Sequence, residues 1–195
     1  TFAMWVVMMV AMMTASAVPA VLVMAKSRVA RGEGRLSPVT VLFTSGYLLV
    51  WAGFSLAATL AQWGLHEAAL LSPAMTTTSA WLAGSGLIVA GIYQWTPLKQ
   101  TCLSHCRSPF DFVVTHWQSG MRGALSMGLH HGAYCVGCCW ALMALLFVGG
   151  IMNVLWIAGI AVVVLAEKVI PSGHVLSRIG GVVLAAAGIW LIVSG

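Results

Sequence analysis

The stretch 127–143, MGLHHGAYCVGCCWALM, concentrates the soft donors of the chain. Wound as a helix, whose faces recur at three- and four-residue steps, it aligns Met127, His131, Cys135 and Cys138 on one stripe. Cys139 and Met143 fall beside that stripe. Thioether, imidazole and thiolate are the ligands that select Cu(I), zinc or iron–sulfur over hard cations. His131, Cys135, Cys138 and Cys139 are therefore the primary candidates for metal ligands. A single cysteine is more often a small buried apolar residue. Three of them with a histidine at helical spacing point to metal binding or redox work, because a histidine in hydrocarbon is costly and usually functional. His130 lies about 100° away around the helix and faces elsewhere.

Two further groups of donors stand apart in the sequence. Cys102, His105 and Cys106 form the word CLSHC, which can supply two or three ligands from a polar stretch. Four-coordinate zinc sites draw on a second ligand pair, and Cys135 with Cys138 would provide one. Depth argues against sharing: Cys138 lies about 15 residues into its helix, roughly 20 Å at 1.5 Å per residue. Two separate sites are the favoured expectation. Near the start, Met8, Met9, Met12 and Met13 place thioethers on two helical faces. Such a run can be adaptable packing, or it can face the Cys-rich helix as a source of Cu(I) ligands. Copper is the favoured ion, with zinc or iron as alternatives.

These donors need elements to hold them, and composition says which. Of 195 residues, 61% are hydrophobic and 7% charged, far from the roughly 25% charge of soluble domains. The reading is an all-α, polytopic transmembrane helix bundle forming a single domain over 1–195. A span needs roughly 20 apolar residues, so about six membrane helices fit, over 2–25, 39–62, 74–96, 123–148, 151–170 and 178–193. Pro19 is tolerated within the first, and Pro97 marks the end of the third. The segment 98–122, with Phe110, Phe112, His116 and Trp117, is expected to lie along the cytoplasmic interface. The last helix carries small residues, Gly180, Gly181, Ala185 to Ala187 and Gly188, that let backbones approach.

The net charge is +5, and the bases cluster in three inter-helix stretches: Lys26, Arg28, Arg31 and Arg35; Lys99, Arg107 and Arg122; Lys168 and Arg178. They alternate with stretches free of base, which places the basic loops in the cytoplasm. With no soluble basic face, nucleic acid is excluded as a partner. His66 and Glu67 are read as a solvated outer pair, Glu167 and Lys168 as a pair or as snorkelling ends, and Asn153 and Trp156 as structural. The nucleotide-binding glycine loop, the GxSxG nucleophile word and HExxH are missing from the sequence, which disfavours ordinary hydrolase or kinase activity.

The words MWVVMMVAMM, YQWTPLKQTCLSHCRSP, GLHHGAYCVGCCWALMALLF and MNVLWIAGIAVVVLAEKVIP together span nearly the whole chain. In them the sequence closely resembles a bacterial family described as predicted metal-binding integral membrane proteins and otherwise catalogued as a domain of unknown function. The resemblance implies a multi-helix membrane fold in the bacterial inner membrane, metal binding, and no settled reaction. Family members typically carry another apolar segment ahead of the MWVVMM word, which implies one more helix upstream.

The first functional expectation is a non-enzymatic, metal-handling membrane protein that stores copper or delivers it to a membrane-bound enzyme. In that reading Cys102, His105 and Cys106 form a cytoplasmic receiving site. The competing expectation is a structural accessory subunit of a larger photosynthetic, respiratory or monooxygenase complex in the bilayer. A thiol redox protein using Cys135 and Cys138 ranks third, because it needs an accessible, low-pKa thiolate.

Overall fold

The computed structural model describes residues 1–29, 38–71, 77, 79–118 and 120–195, with the Arg28 side chain outside the description. Arg31, Arg35 and positions 74–76 of the expected third span also lie outside the described residues. The chain is all-α, running α1 (Phe2–Val29), α2 (Pro38–Glu67), α3 (Ala80–Tyr93), α4 (Pro97–Arg107), α5 (Pro109–Thr115), α6 (Gly120–Ala144), α7 (Leu146–Gly149), α8 (Val154–Val169) and α9 (Gly173–Ser194). Proline opens α2, α4 and α5, where its missing N–H costs nothing and its fixed φ suits the first turn. Gly150, at φ 92°, ends α7 in a conformation side-chain-bearing residues rarely adopt.

Among the described residues, four stretches are long and apolar enough to cross a membrane: Phe2–Ser27, Pro38–Glu67, Gly120–Gly149 and Gly173–Ser194. The spans expected over 74–96 and 151–170 are shorter, since α3 runs for 14 residues and α8 for 16. Caps set those limits. Ser79 Oγ accepts from Leu82 N at 3.5 Å and Asn153 Oδ1 from Trp156 N at 3.2 Å, satisfying N–H groups that a helix start leaves open. Ile170 ends α8 in an extended conformation before Pro171.

The chain divides into two compact units, Thr1–Ala57 with Thr101–Cys138 and Ala58–Gln100 with Cys139–Gly195. In the first, α1 and α5 pack together around buried Ala20, Met24, Phe43, Phe112, Val113 and Met127. Its α2 and α6 touch through glycines. A Cβ on Gly46 would sit 2.6 Å from the Leu125 carbonyl oxygen, one on Gly132 would sit 2.9 Å from Val50 Cβ, and one on Gly128 would strike the Phe43 carbonyl. Gly128 and Gly132 are the ends of a GxxxG word, the spacing that lets helix backbones approach. The segment 98–122 folds into α4 and α5, burying Leu103, Phe112 and Val113 on one face and exposing Phe110 and Val114 on the other.

In the second unit α3 packs on α9. A Cβ on Gly91 would lie 2.7 Å from the Gly181 oxygen, and one on Gly188 would lie 2.5 Å from the Gly84 oxygen. The small-residue face expected on the last helix is thus in use at Gly181 and Gly188, while Gly180 borders open space.

Candidate metal centre

Helix α6 turns its soft stripe inward. Met127, His131, Cys135 and Cys138 are all buried, as are Cys139 and Met143 further along, whereas His130 is exposed. The burial follows from the glycine contact with α2, which brings Phe43 and Tyr47 to the same face. His131 lies among three rings, with centroids 5.9 Å from Phe43, 5.8 Å from Tyr47 and 5.1 Å from Phe112. None of the five cysteines forms a disulfide.

Cys135 is tied to α1 and α2 by hydroxyls. Its Sγ is 3.2 Å from Tyr47 Oη and 4.0 Å from Ser16 Oγ, and the Tyr47 hydroxyl donates to the Met13 carbonyl at 3.1 Å. A phenol has one proton to give; with it spent on Met13, the Cys135 thiol donates to Tyr47 Oη. The methionine run of α1 therefore lies next to the Cys-rich helix at Met13. Met9, Met12 and Met13 are buried and Met8 is half-buried. Sequence reading missed Tyr47 and Ser16, whose only signal was a hydroxyl within an apolar helix.

Cys138 meets α4. Its Sγ stands 3.9 Å from Cys106 Sγ and 3.1 Å from the Cys135 carbonyl oxygen. Cys102, one helical turn before Cys106, packs on α6 at Gly137, where a Cβ would come within 2.7 Å of its Sγ. Burial first, and the neighbouring Cys138 second, push the Cys102 thiol above its usual pKa. The expectation of two separate cysteine sites rests on depth, yet the thiols of α4 and α6 are neighbours. Helix α4 lies alongside α6, so that its thiols reach Gly137 and Cys138. Two sulfurs bound at about 2.3 Å around one tetrahedral ion stand roughly 3.8 Å apart, so the Cys106–Cys138 pair already has the spacing of a shared ligand pair.

Among the described residues no three His, Cys, Asp or Glu side chains converge as a ready-made metal cage. The thiol pair needs a third donor, and Cys102 and His105 are the nearest in sequence. His105 stacks on Tyr134 with centroids 4.4 Å apart and planes at 8°. Cys139, buried, belongs to the second unit's share of α6.

The second unit holds its own buried polar group, of a different kind. Lys99 Nζ and Glu167 Oε2 are 2.7 Å apart with neither side chain more than 2% exposed. Gln94 Nε2 donates to Glu167 Oε1 at 3.3 Å, and Ser177 Oγ donates to the Gln94 side-chain oxygen at 3.1 Å. Glu167 thus pairs with Lys99 of α4. Lys99 is withdrawn from the exposed bases among which its sequence position had counted it. Only its partner, 68 residues away, gives the reason.

No curated protein and no solved structure matches the chain significantly. One family does: PpoB2, described as a copper chaperone, matches residues 2–191. That match takes in the methionine run, the CLSHC word and the Cys-rich helix alike, and the chain belongs to the PpoB2 copper chaperone family.

Proposed function

We propose that this protein is a membrane-embedded carrier of Cu(I) that holds the ion on thiolates of its first unit and hands it to a membrane-bound copper enzyme. The observation that carries the reading is the 3.9 Å separation of Cys106 and Cys138, supported by the family's description. Cys102 completes a soft three-sulfur set. His131, Cys135 and the Met12–Met13 edge of α1 form a second station nearer the start of α6 on the same stripe, which Cys138 adjoins through its contact with the Cys135 carbonyl. Thiolate and thioether favour Cu(I) over hard cations; zinc and iron are the competing ions. Delivery is a ligand exchange between soft donors, so no catalytic step is assigned to the protein.

Membrane residence fits the four long apolar helices and the exposed Val154, Leu155 and Val193, which lipid would cover. The basic stretches place the CLSHC side in the cytoplasm by the positive-inside rule, in a bacterial inner membrane. The test is copper counted per chain in detergent-purified protein grown with copper under reducing conditions. The double variant C106S/C138S should lose its tightly held copper. Full stoichiometry in that variant would refute the reading.

A further inference from the structure

His116 sits at the C-cap of α5, where sequence reading had taken it as one more interfacial aromatic. In the structure it belongs to a ring cluster with His105 of α4. The two imidazole centroids are 6.2 Å apart, His105 stacks on Tyr134, and His116 stacks on Phe112 with centroids 4.8 Å apart and planes at 19°. Phe112 is also the ring that touches buried His131 at 5.1 Å. Both outer histidines are half-buried, so each has one edge toward solvent.

Hydrogen bonds fix the tautomer of both rings. His105 Nδ1 lies 2.8 Å from the Thr101 carbonyl oxygen; a carbonyl only accepts, so Nδ1 carries the proton and Nε2 carries a lone pair. His116 Nδ1 lies 2.9 Å from Thr115 Oγ1. The Thr115 hydroxyl spends its single proton on the Asp111 carbonyl at 2.7 Å. Thr115 therefore accepts from His116 Nδ1–H, and His116 Nε2 also carries a lone pair. A ring N–H anchored to an oxygen, with the other nitrogen presented as base, is how metal-binding histidines are held.

Spacing agrees. With a metal–nitrogen bond of about 2.0 Å and a ring nitrogen about 1.2 Å from its centroid, two imidazoles facing each other across one ion have centroids about 6.4 Å apart. The observed 6.2 Å, with planes at 70°, lies within the span one ion can bridge. His130 is the internal control: its Nδ1 makes the same bond to the carbonyl four residues back, Ser126, at 2.8 Å, yet it has no imidazole beside it among the described ring contacts.

We infer that His105 and His116 form a second, bis-imidazole copper site, an outer capture station from which the ion passes to Cys106, the residue next to His105. This rests on the Cu(I)-carrier reading for its destination but not for its ligands. Imidazole suits copper in either oxidation state, and an ion captured as Cu(I) exchanges onto thiolate with no redox step.

The test uses the full chain in detergent. In a C102S/C106S/C138S background, one equivalent of Cu(II) should give an electron paramagnetic resonance spectrum with superhyperfine structure from two nitrogens. Adding H105Q/H116Q should abolish it and adding H130Q should preserve it. A nitrogen pattern surviving H105Q/H116Q, or no nitrogen-bound copper in the triple variant, overturns the site. With native thiols, H105Q/H116Q should slow the loading of Cys106 and Cys138 from limiting Cu(I) several-fold. An unchanged rate overturns the capture role. If native thiols bind no Cu(I) while the nitrogen pattern is present, it is the thiolate carrier that fails, and the imidazole site stands.

Discussion

The two units bury polar groups of opposite character. In the second, Lys99 and Glu167 form an ion pair closed by Gln94 and Ser177, a hard, charged set whose members satisfy one another. In the first, the buried groups include three thiols, an imidazole and a phenol beside the hydroxyls of Thr40 and Ser55, a set richer in soft donors. A buried ion pair is expensive to half-remove, which suits a fixed strut. A cluster of neutral soft donors can exchange a proton for a metal ion, which suits a carrier. The difference assigns structure to the one and cargo to the other.

The sharpest way to break that division is at the ion pair. Lys99→Ala leaves a carboxylate buried without its cation and should cost about 3–5 kcal/mol of stability, read by denaturant titration in detergent. The paired change Lys99→Met with Glu167→Leu should cost far less. Copper bound per folded chain should be unchanged in the paired variant; its loss would mean the second unit takes part in binding.

Next comes the glycine contact that aims the stripe. Gly128→Val drives a side chain into the Phe43 carbonyl and should destabilise by about 1–3 kcal/mol while lowering copper content. Gly53→Ala, where a Cβ meets nothing within 4 Å, should stay within about 0.5 kcal/mol of wild type. Equal effects at the two positions would contradict the packing assigned to Gly128.

Smaller still is Tyr47→Phe, which removes the acceptor of the Cys135 thiol and the donor to Met13. It should cost about 1 kcal/mol and leave copper on Cys106 and Cys138. Finally, each thiol must lose its proton to bind metal, so copper affinity should rise with pH, by about two powers of ten per unit for two thiols below their pKa values. Cys102, with its pKa raised, should join only at the upper end. An affinity flat in pH, measured by competition with a Cu(I) chelator, would argue against thiolate ligands.

What was legible in the sequence was what depends on local period and composition. The all-α class follows from apolar runs. That the donors of α6 share one stripe follows from their steps of three and four; that the stripe faces inward is shown by its burial. The two glycines of the GLHHG word, which bring α6 against α2, went unread as a packing face. What was not legible depends on long-range packing. That α4 descends beside α6 rests on Cys102 fitting over Gly137, 35 positions away. The role of Lys99 rests on Glu167, and that of His116 on a ring presented by another helix. The lengths of α3 and α8 were misjudged because hydropathy averages over the capping residues Ser79 and Asn153, which end a helix however apolar its neighbours.

The central claim is that α4 and α6 jointly hold one copper ion by sulfur. X-ray absorption at the copper edge of the Cu(I)-loaded, detergent-purified chain tests it directly. The account predicts a first shell dominated by two or three sulfurs at about 2.3 Å, reduced in C106S/C138S. A first shell of nitrogen and oxygen alone, or a sulfur shell unaltered in that variant, would contradict it.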